Sequence, residues 1–267
     1  MNLASYLADV ERTRSPSFAR RCALAEQLET LALTESDAGL QLRATRLLAD
    51  LEAADARFFA RVRARLARGM YTRSGIIRSL WRHDEASLAG YAPLDVLLAG
   101  LFDAGELPDE LPQAPEMVAY QPAPGRAILS LLEEVRDDDV VYDLGSGLGR
   151  VVLCVALLTA ARAKGVEFQP SFCAYATRAA QHVNARADFL ALDARAADLS
   201  DGTLFFLYTP FRGALLRGVL GKLQAVAARH ALRVCTFGPC TTEVANEKWL
   251  HLRSGSASRD ELAIFDS

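Results

Sequence analysis

The chain has 267 residues, of which 51% are hydrophobic and 24% charged, a balance that suits a folded, core-bearing protein and excludes a disordered one. A formal net charge of −3 gives no whole-chain electrostatic footprint for duplex nucleic acid. No apolar run is long enough to span a bilayer, and the opening MNLASYLADVERTR lacks the basic-then-apolar order of a signal peptide, so a soluble, cytoplasmic protein without membrane association is expected.

Residues 1–112 read as an all-helical N-terminal domain, because leucine and alanine recur at three- and four-residue intervals and strand-like alternation is absent. Thr34-Glu-Ser-Asp37 breaks the first helical stretch and offers caps for a long helix running to about Arg68, which Gly69 ends. Shorter helices are expected from about Ser74 to Arg82 and from Pro93 to Leu101. Between Arg57 and Arg82 stand eight arginines and no acidic residue, interleaved with Phe58, Phe59, Tyr71 and Trp81. Such a face suits an anionic substrate, or it is a solvated helix surface paired with the acids near Asp50 to Asp55. A homodimer contact through this domain is a further expectation.

The prolines at 108, 112, 115, 122 and 124 mark a linker that crosses the surface. It closes on Tyr120 and leads into an amphipathic helix, GRAILSLLEEV. VVYDL then reads as a buried strand, ending at Asp143 where glycines 145, 147 and 149 follow at every second position. Three such glycines permit positive φ and let a ligand lie against the main chain. The run RVVLCVALLTAARA has the length of a helix packed on a sheet.

The spacing is not G-x-G-x-x-G, since Arg150 holds the sixth position, and no P-loop lysine is present. A short strand after the helix ends on Glu167, where a carboxylate can accept both ribose hydroxyls of a nucleoside lying over the glycine turn. A third strand, ADFLALDAR, contains Asp193 followed by Ala194, and an aromatic strand, LFFL, runs into Tyr208-Thr-Pro-Phe211. A helix from about Gly213 to Arg229, the strand RVCTFG, a loop, and the pair WLHLRSG and ELAIFDS complete the chain. The five cysteines show no C-x-x-C pair and the four histidines no ligand spacing, so neither a metal site nor a disulfide framework is expected.

Asp143, Gly145, Gly147 and Gly149 resemble the first motif of class I S-adenosylmethionine (SAM) dependent methyltransferases, D/E-x-G-x-G-x-G. That resemblance implies an α/β fold with a Rossmann-like seven-stranded sheet whose last strand is antiparallel, here as a domain over residues 113–267. It implies SAM as cofactor and S-adenosylhomocysteine (SAH) as product. Cofactor contacts fall on Tyr120 as a lid, Asp143, Gly145, Ser146, Gly147, Gly149, Glu167, Phe168, and Asp193 with Ala194 at the adenine. Tyr208, Thr209 and Phe211 stand where the family meets the methyl group and its acceptor. Locally the match is closest to the Dot1-like lysine methyltransferases, carried by DLGSGLGRVVL at 143–153, GVE at 165–167 and the strand ending at Phe211. Those enzymes have an Asn-Asn-Phe type sequence where this chain has Tyr208-Thr-Pro-Phe211, so lysine specificity does not carry over.

The expected function is methyl transfer from SAM to an oxygen or nitrogen of a small molecule or protein side chain. The alternatives are a non-catalytic SAM-binding or scaffold protein, and an NAD(P)-dependent oxidoreductase, which the glycine spacing and the strand-pair ending disfavour.

Overall fold

The computed structural model describes residues 17–68, 93–109, 115–256 and 261–267. The chain divides after Leu101 into two compact units, ahead of the proline-rich stretch near residue 112. The reason is local. The Ala104 N–H donates to the Tyr175 hydroxyl at 3.0 Å, tying the residues after Leu101 to the second unit.

The first unit contains α1 (Phe18–Thr34), α2 (Ala38–Ala67) and α3 (Pro93–Leu101). Asp37 caps α2 as expected, its Oδ1 accepting the N–H groups of Gly39 at 2.8 Å and Leu40 at 3.0 Å. Phe18 stacks on Phe58 and meets Phe59 edge-on, and Phe59 covers Gly100, where a Cβ would lie 2.2 Å from the ring. Two aromatics of the arginine-rich stretch are therefore packing residues. Asp55 pairs with Arg21 at 2.5 Å rather than with the arginines that follow it, while Arg57, Arg61, Arg65 and Arg68 are exposed. Tyr71, Trp81, the helix end expected at Gly69 and the helix expected at 74–82 lie outside the described residues.

The second unit runs α4 (Gly125–Glu134), β1 (Val140–Leu144), α5 (Arg150–Leu158), β2 (Arg162–Glu167), α6 (Pro170–Val183), β3 (Ala187–Ala191), β4 (Leu204–Leu207), α7 (Gly213–Ala227), β5 (Arg233–Thr236), α8 (Cys240–Val244), β6 (His251–Ser254) and β7 (Ala263–Asp266). Its seven strands lie in the order β3-β2-β1-β4-β5-β7-β6. The first five are parallel, and β7 runs antiparallel to both β5 and β6. This is the class I methyltransferase sheet that the glycine motif implied. Strand order reverses between β1 and β4, and ligands gather at such a switch point, beyond the carboxyl ends of the strands.

Burial explains the central strands. β1, β4 and β5 are buried at every residue, as strands covered on both faces must be. On one face Tyr142, Phe205, Val234 and Phe265 pack with Leu216, Leu220 and Leu223 of α7, with Tyr142 and Phe205 stacked at 5.5 Å. Asp143 belongs to the alternate face of β1.

Two expectations shift. α5 stops at Leu158 instead of running to Ala163, because Arg162 and Ala163 pair with Val140 and Val141 of β1. The expected loop after β5 holds the short helix α8. All five cysteines are buried thiols. Among the described residues no helix is long and apolar enough to cross a membrane.

Candidate functional site

The three glycines after β1 all adopt positive φ: 84° at Gly145, 52° at Gly147 and 82° at Gly149. A different element approaches each. A Cβ would lie 2.1 Å from Pro210 at Gly145, 2.3 Å from the Tyr120 ring at Gly147, and 2.7 Å from Phe189 at Gly149. No other residue satisfies both the backbone and the space. The turn is anchored to β2 by the N–H groups of Gly145 and Ser146, which donate to the Val166 carbonyl at 2.8 and 3.0 Å. Gly149 is the N-cap of α5.

Glu167 ends β2 beside this turn and is 9% exposed. Its Oε2 accepts the Gly147 N–H and its Oε1 the Gln169 N–H, each at 2.9 Å. The carboxylate is thus fixed against the turn. Phe168, next along, is 46% exposed and lines the cavity described below. Ser146 is buried, and its hydroxyl has no hydrogen-bond partner. Asp143 is also buried, and its carboxyl is pushed up to about 8, by burial first and by the Glu167 charge second.

At the end of β3, Asp193 and Ala194 line the same cavity. Arg195, which sequence reasoning passed over, forks onto Asp193. Its Nη2 donates to Oδ2 at 2.7 Å and its backbone N–H to Oδ1 at 2.8 Å. Hydrogen bonding from Arg195 holds the Asp193 carboxyl below its ordinary range.

Beyond β4, Tyr208 and Phe211 both line the cavity, and Phe211 is buried. Thr209 has a φ of 45°, a rare conformation for a β-branched residue. It is held by its hydroxyl, which donates to the Phe237 carbonyl at 3.4 Å and accepts the Cys240 N–H at 3.2 Å. The hydroxyl thereby ties the motif to the turn before α8. Tyr208 is the remaining polar side chain of the motif.

The proline-rich stretch does more than cross the surface. Met117 forms an antiparallel bridge with Phe211, flanked by Val118 N–H to Pro210 O at 3.2 Å and Arg212 N–H to Glu116 O at 2.9 Å. The Glu116 carboxylate accepts the N–H groups of Ala214 at 2.8 Å and Leu215 at 3.1 Å, capping α7 from 98 residues away. This strap delivers Tyr120 onto Gly147 and edge-on against Phe172 at 5.4 Å. Burial pushes the Tyr120 hydroxyl up to about 12. No local signal marks Glu116, whose partners are set by the fold, and Arg195 shows in sequence only as an Asp-x-Arg pair, its contact with α7 being set by the fold.

These groups enclose a cavity of about 210 Å³ along the carboxyl ends of β1 to β4, reaching apolar Leu215 and Val219 of α7. A smaller cavity of about 20 Å³ lies between Tyr120, Asp143, Ser146, Arg150 and Tyr208. The arrangement fits SAM: bare main chain at the turn, a fixed carboxylate beside it at the end of β2, apolar walls, and the buried Asp143 and Ser146 oxygens at the turn's centre with Arg150 beside them. Among the described residues no His, Cys, Asp and Glu cluster suits a metal ion.

Residues 127–207 match the family model described as Histone methylation protein DOT1, a stretch that holds the glycine turn, Glu167 and Asp193 and stops before Tyr208. No curated protein matches the chain. Similar solved structures include an RNA methyltransferase from Salinibacter ruber in complex with SAH, 25% identical over 55% of this chain and 92% of that one, with a TM-score of 0.43. Another is the Pyrococcus abyssi tRNA (uracil-54, C5)-methyltransferase in complex with SAH, 15% identical over 53% and 37%, with a TM-score of 0.43. A SAM-dependent methyltransferase from Geobacter sulfurreducens in complex with SAH is 20% identical over 41% and 47%, with a TM-score of 0.34. By its sheet order and this family match, the chain carries the class I SAM-dependent methyltransferase fold, and its glycine-turn region is similar to the Dot1 methyltransferases.

Proposed function

We propose that the chain is a SAM-dependent methyltransferase acting on an oxygen or nitrogen of a small molecule or protein side chain. The observation that carries this reading is the turn of three left-handed glycines at the switch point of the sheet, whose central Gly147 donates to the fixed Glu167 carboxylate. When bound, SAM supplies the methyl group on a sulfonium that is already a good leaving group. The chain's part is then alignment and exclusion of water. Glu167 holds the ribose, Asp143 faces the cationic methionine end, Phe168 and the apolar wall flank the purine, and Tyr120 covers the turn. Tyr208 orients the acceptor or takes its proton, Phe211 walls the acceptor site, and Thr209 fixes the loop that carries both.

Calorimetric titration with SAM, SAH and NAD tests the cofactor. Binding of the first two at about micromolar strength without NAD supports the reading, and NAD alone would overturn it. The alternative reading is a SAM-binding protein without turnover. It predicts cofactor affinity with no methyl transfer across an acceptor screen.

A further inference from the structure

Asp193 sits on a short, partly exposed side chain, 28% accessible, that would turn freely if left alone. It is not left alone. The Arg195 backbone N–H donates to Oδ1, Nη2 donates to Oδ2, and Nε bridges both oxygens at 3.1 and 3.2 Å. The guanidinium takes the edge between the two oxygens and the backbone N–H a further site on Oδ1, which leaves the outer lone pair of Oδ2. Arg195 is itself supported by α7. Its side chain lies over Gly218, where a Cβ would come 3.1 Å from Arg195 Cδ. Its carbonyl accepts from Lys222 Nζ at 2.8 Å, and the same ammonium bonds the Ala197 carbonyl. α7 therefore holds the Arg195 backbone and lies under the start of its half-exposed side chain, and Arg195 orients Asp193 on the cavity wall.

We infer that Arg195 is a positioning residue that sets base specificity at the nucleoside end of the cavity, an assignment that rests on the SAM reading above. A carboxylate held ionised and oriented is purely an acceptor. It pairs with the 6-amino group of adenine, a donor, and repels the 6-oxo group of hypoxanthine, another acceptor. A free Asp193 would swing into solvent, where the difference between the two bases is met by water. The long side chain also lines the cavity, but it reads the base only through Asp193.

The full-length protein is titrated with SAH and with S-inosylhomocysteine, its 6-oxo counterpart. The unsubstituted protein is expected to prefer SAH by about tenfold or more, the size of one charge-assisted hydrogen bond. Arg195→Ala should keep the melting temperature and bring the preference to about twofold or less, mainly through weaker SAH binding. Arg195→Lys, which retains the charge without the fork, should behave like the alanine variant. The assignment is overturned if Arg195→Ala keeps the preference, even with both affinities lowered, because the residue would then be merely structural. It is overturned equally if that variant binds SAH more tightly, since Arg195 would then compete for the carboxylate. If the unsubstituted protein binds neither compound, the SAM reading fails first and the assignment falls with it.

Discussion

Asp143 is the residue at which the site's chemistry becomes measurable. Its carboxyl stands at about 8 because it is buried beside Glu167, so near neutral pH the unliganded protein holds it mostly protonated. The folded chain then binds a proton that the unfolded chain has released. This group consequently lowers stability as pH rises from the ordinary carboxylate range toward about 8. A cationic ligand reverses the preference by favouring the ionised form. Affinity for SAM should therefore rise between about pH 6 and about pH 7.5, by up to tenfold per unit, with a proton released on binding. Titration calorimetry in buffers of different ionisation enthalpy counts that proton. Asp143→Asn should flatten the slope, and an unchanged slope in that variant would remove Asp143 from the ligand's surroundings. The aspartate, the glycines and Glu167 were legible because each is demanded locally: a turn needs glycine at positive φ, and a strand end displays its next side chain. The Arg195 fork was not, since an Asp-x-Arg triplet reads as a surface pair until α7 is seen beneath it.

At the scale of elements, the strap at 116–120 couples three parts of the site. Its bridge to 210–212 fixes the acceptor loop, Glu116 caps α7, and Tyr120 lies on the glycine turn. Hydrogen bonds from Ala214 first, and from Leu215, hold the Glu116 carboxyl below its ordinary range. Glu116→Ala removes the anion from the helix N-terminus and leaves two N–H groups to water. The strap should loosen as a unit. Amide exchange at Val118 and Arg212 should quicken, and SAH affinity should fall about fivefold, the worth of one modest restraint. Faster exchange with unchanged affinity would mean that Tyr120 is seated without help from the strap. Sequence placed Tyr120 over the turn but read its neighbours as a plain linker, because proline density reports what a segment cannot form and not which distant strand it bridges. The extent of α5 failed for a related reason. Helix propensity continues through Ala163, but pairing of Arg162 and Ala163 with β1 overrides it.

At the scale of the molecule, every described residue lining the main cavity falls between Met117 and Pro239, within the unit that owns the sheet. Sequence reading recovered that sheet because buried strands, a glycine turn and a closing strand pair leave period and composition signals. It set the division near residue 112 because composition changes there, whereas the structure divides at Leu101. The difference has a physical cause in the Ala104 to Tyr175 hydrogen bond and in Phe102 and Ala104, both buried. A chain beginning at Phe102 should retain SAH binding within about twofold of the full-length protein. A loss above about tenfold with an intact far-ultraviolet spectrum would show that residues 1–101 help to form the site. A chain beginning at residue 113 removes the donor to Tyr175 and uncovers its buried hydroxyl, which should cost about 1 to 3 kcal/mol. It should therefore melt at lower temperature than the chain from Phe102 while binding SAH equally well. Equal melting of the two would return the boundary to the proline-rich stretch, and the pair of truncated chains decides between the two positions without reference to the acceptor.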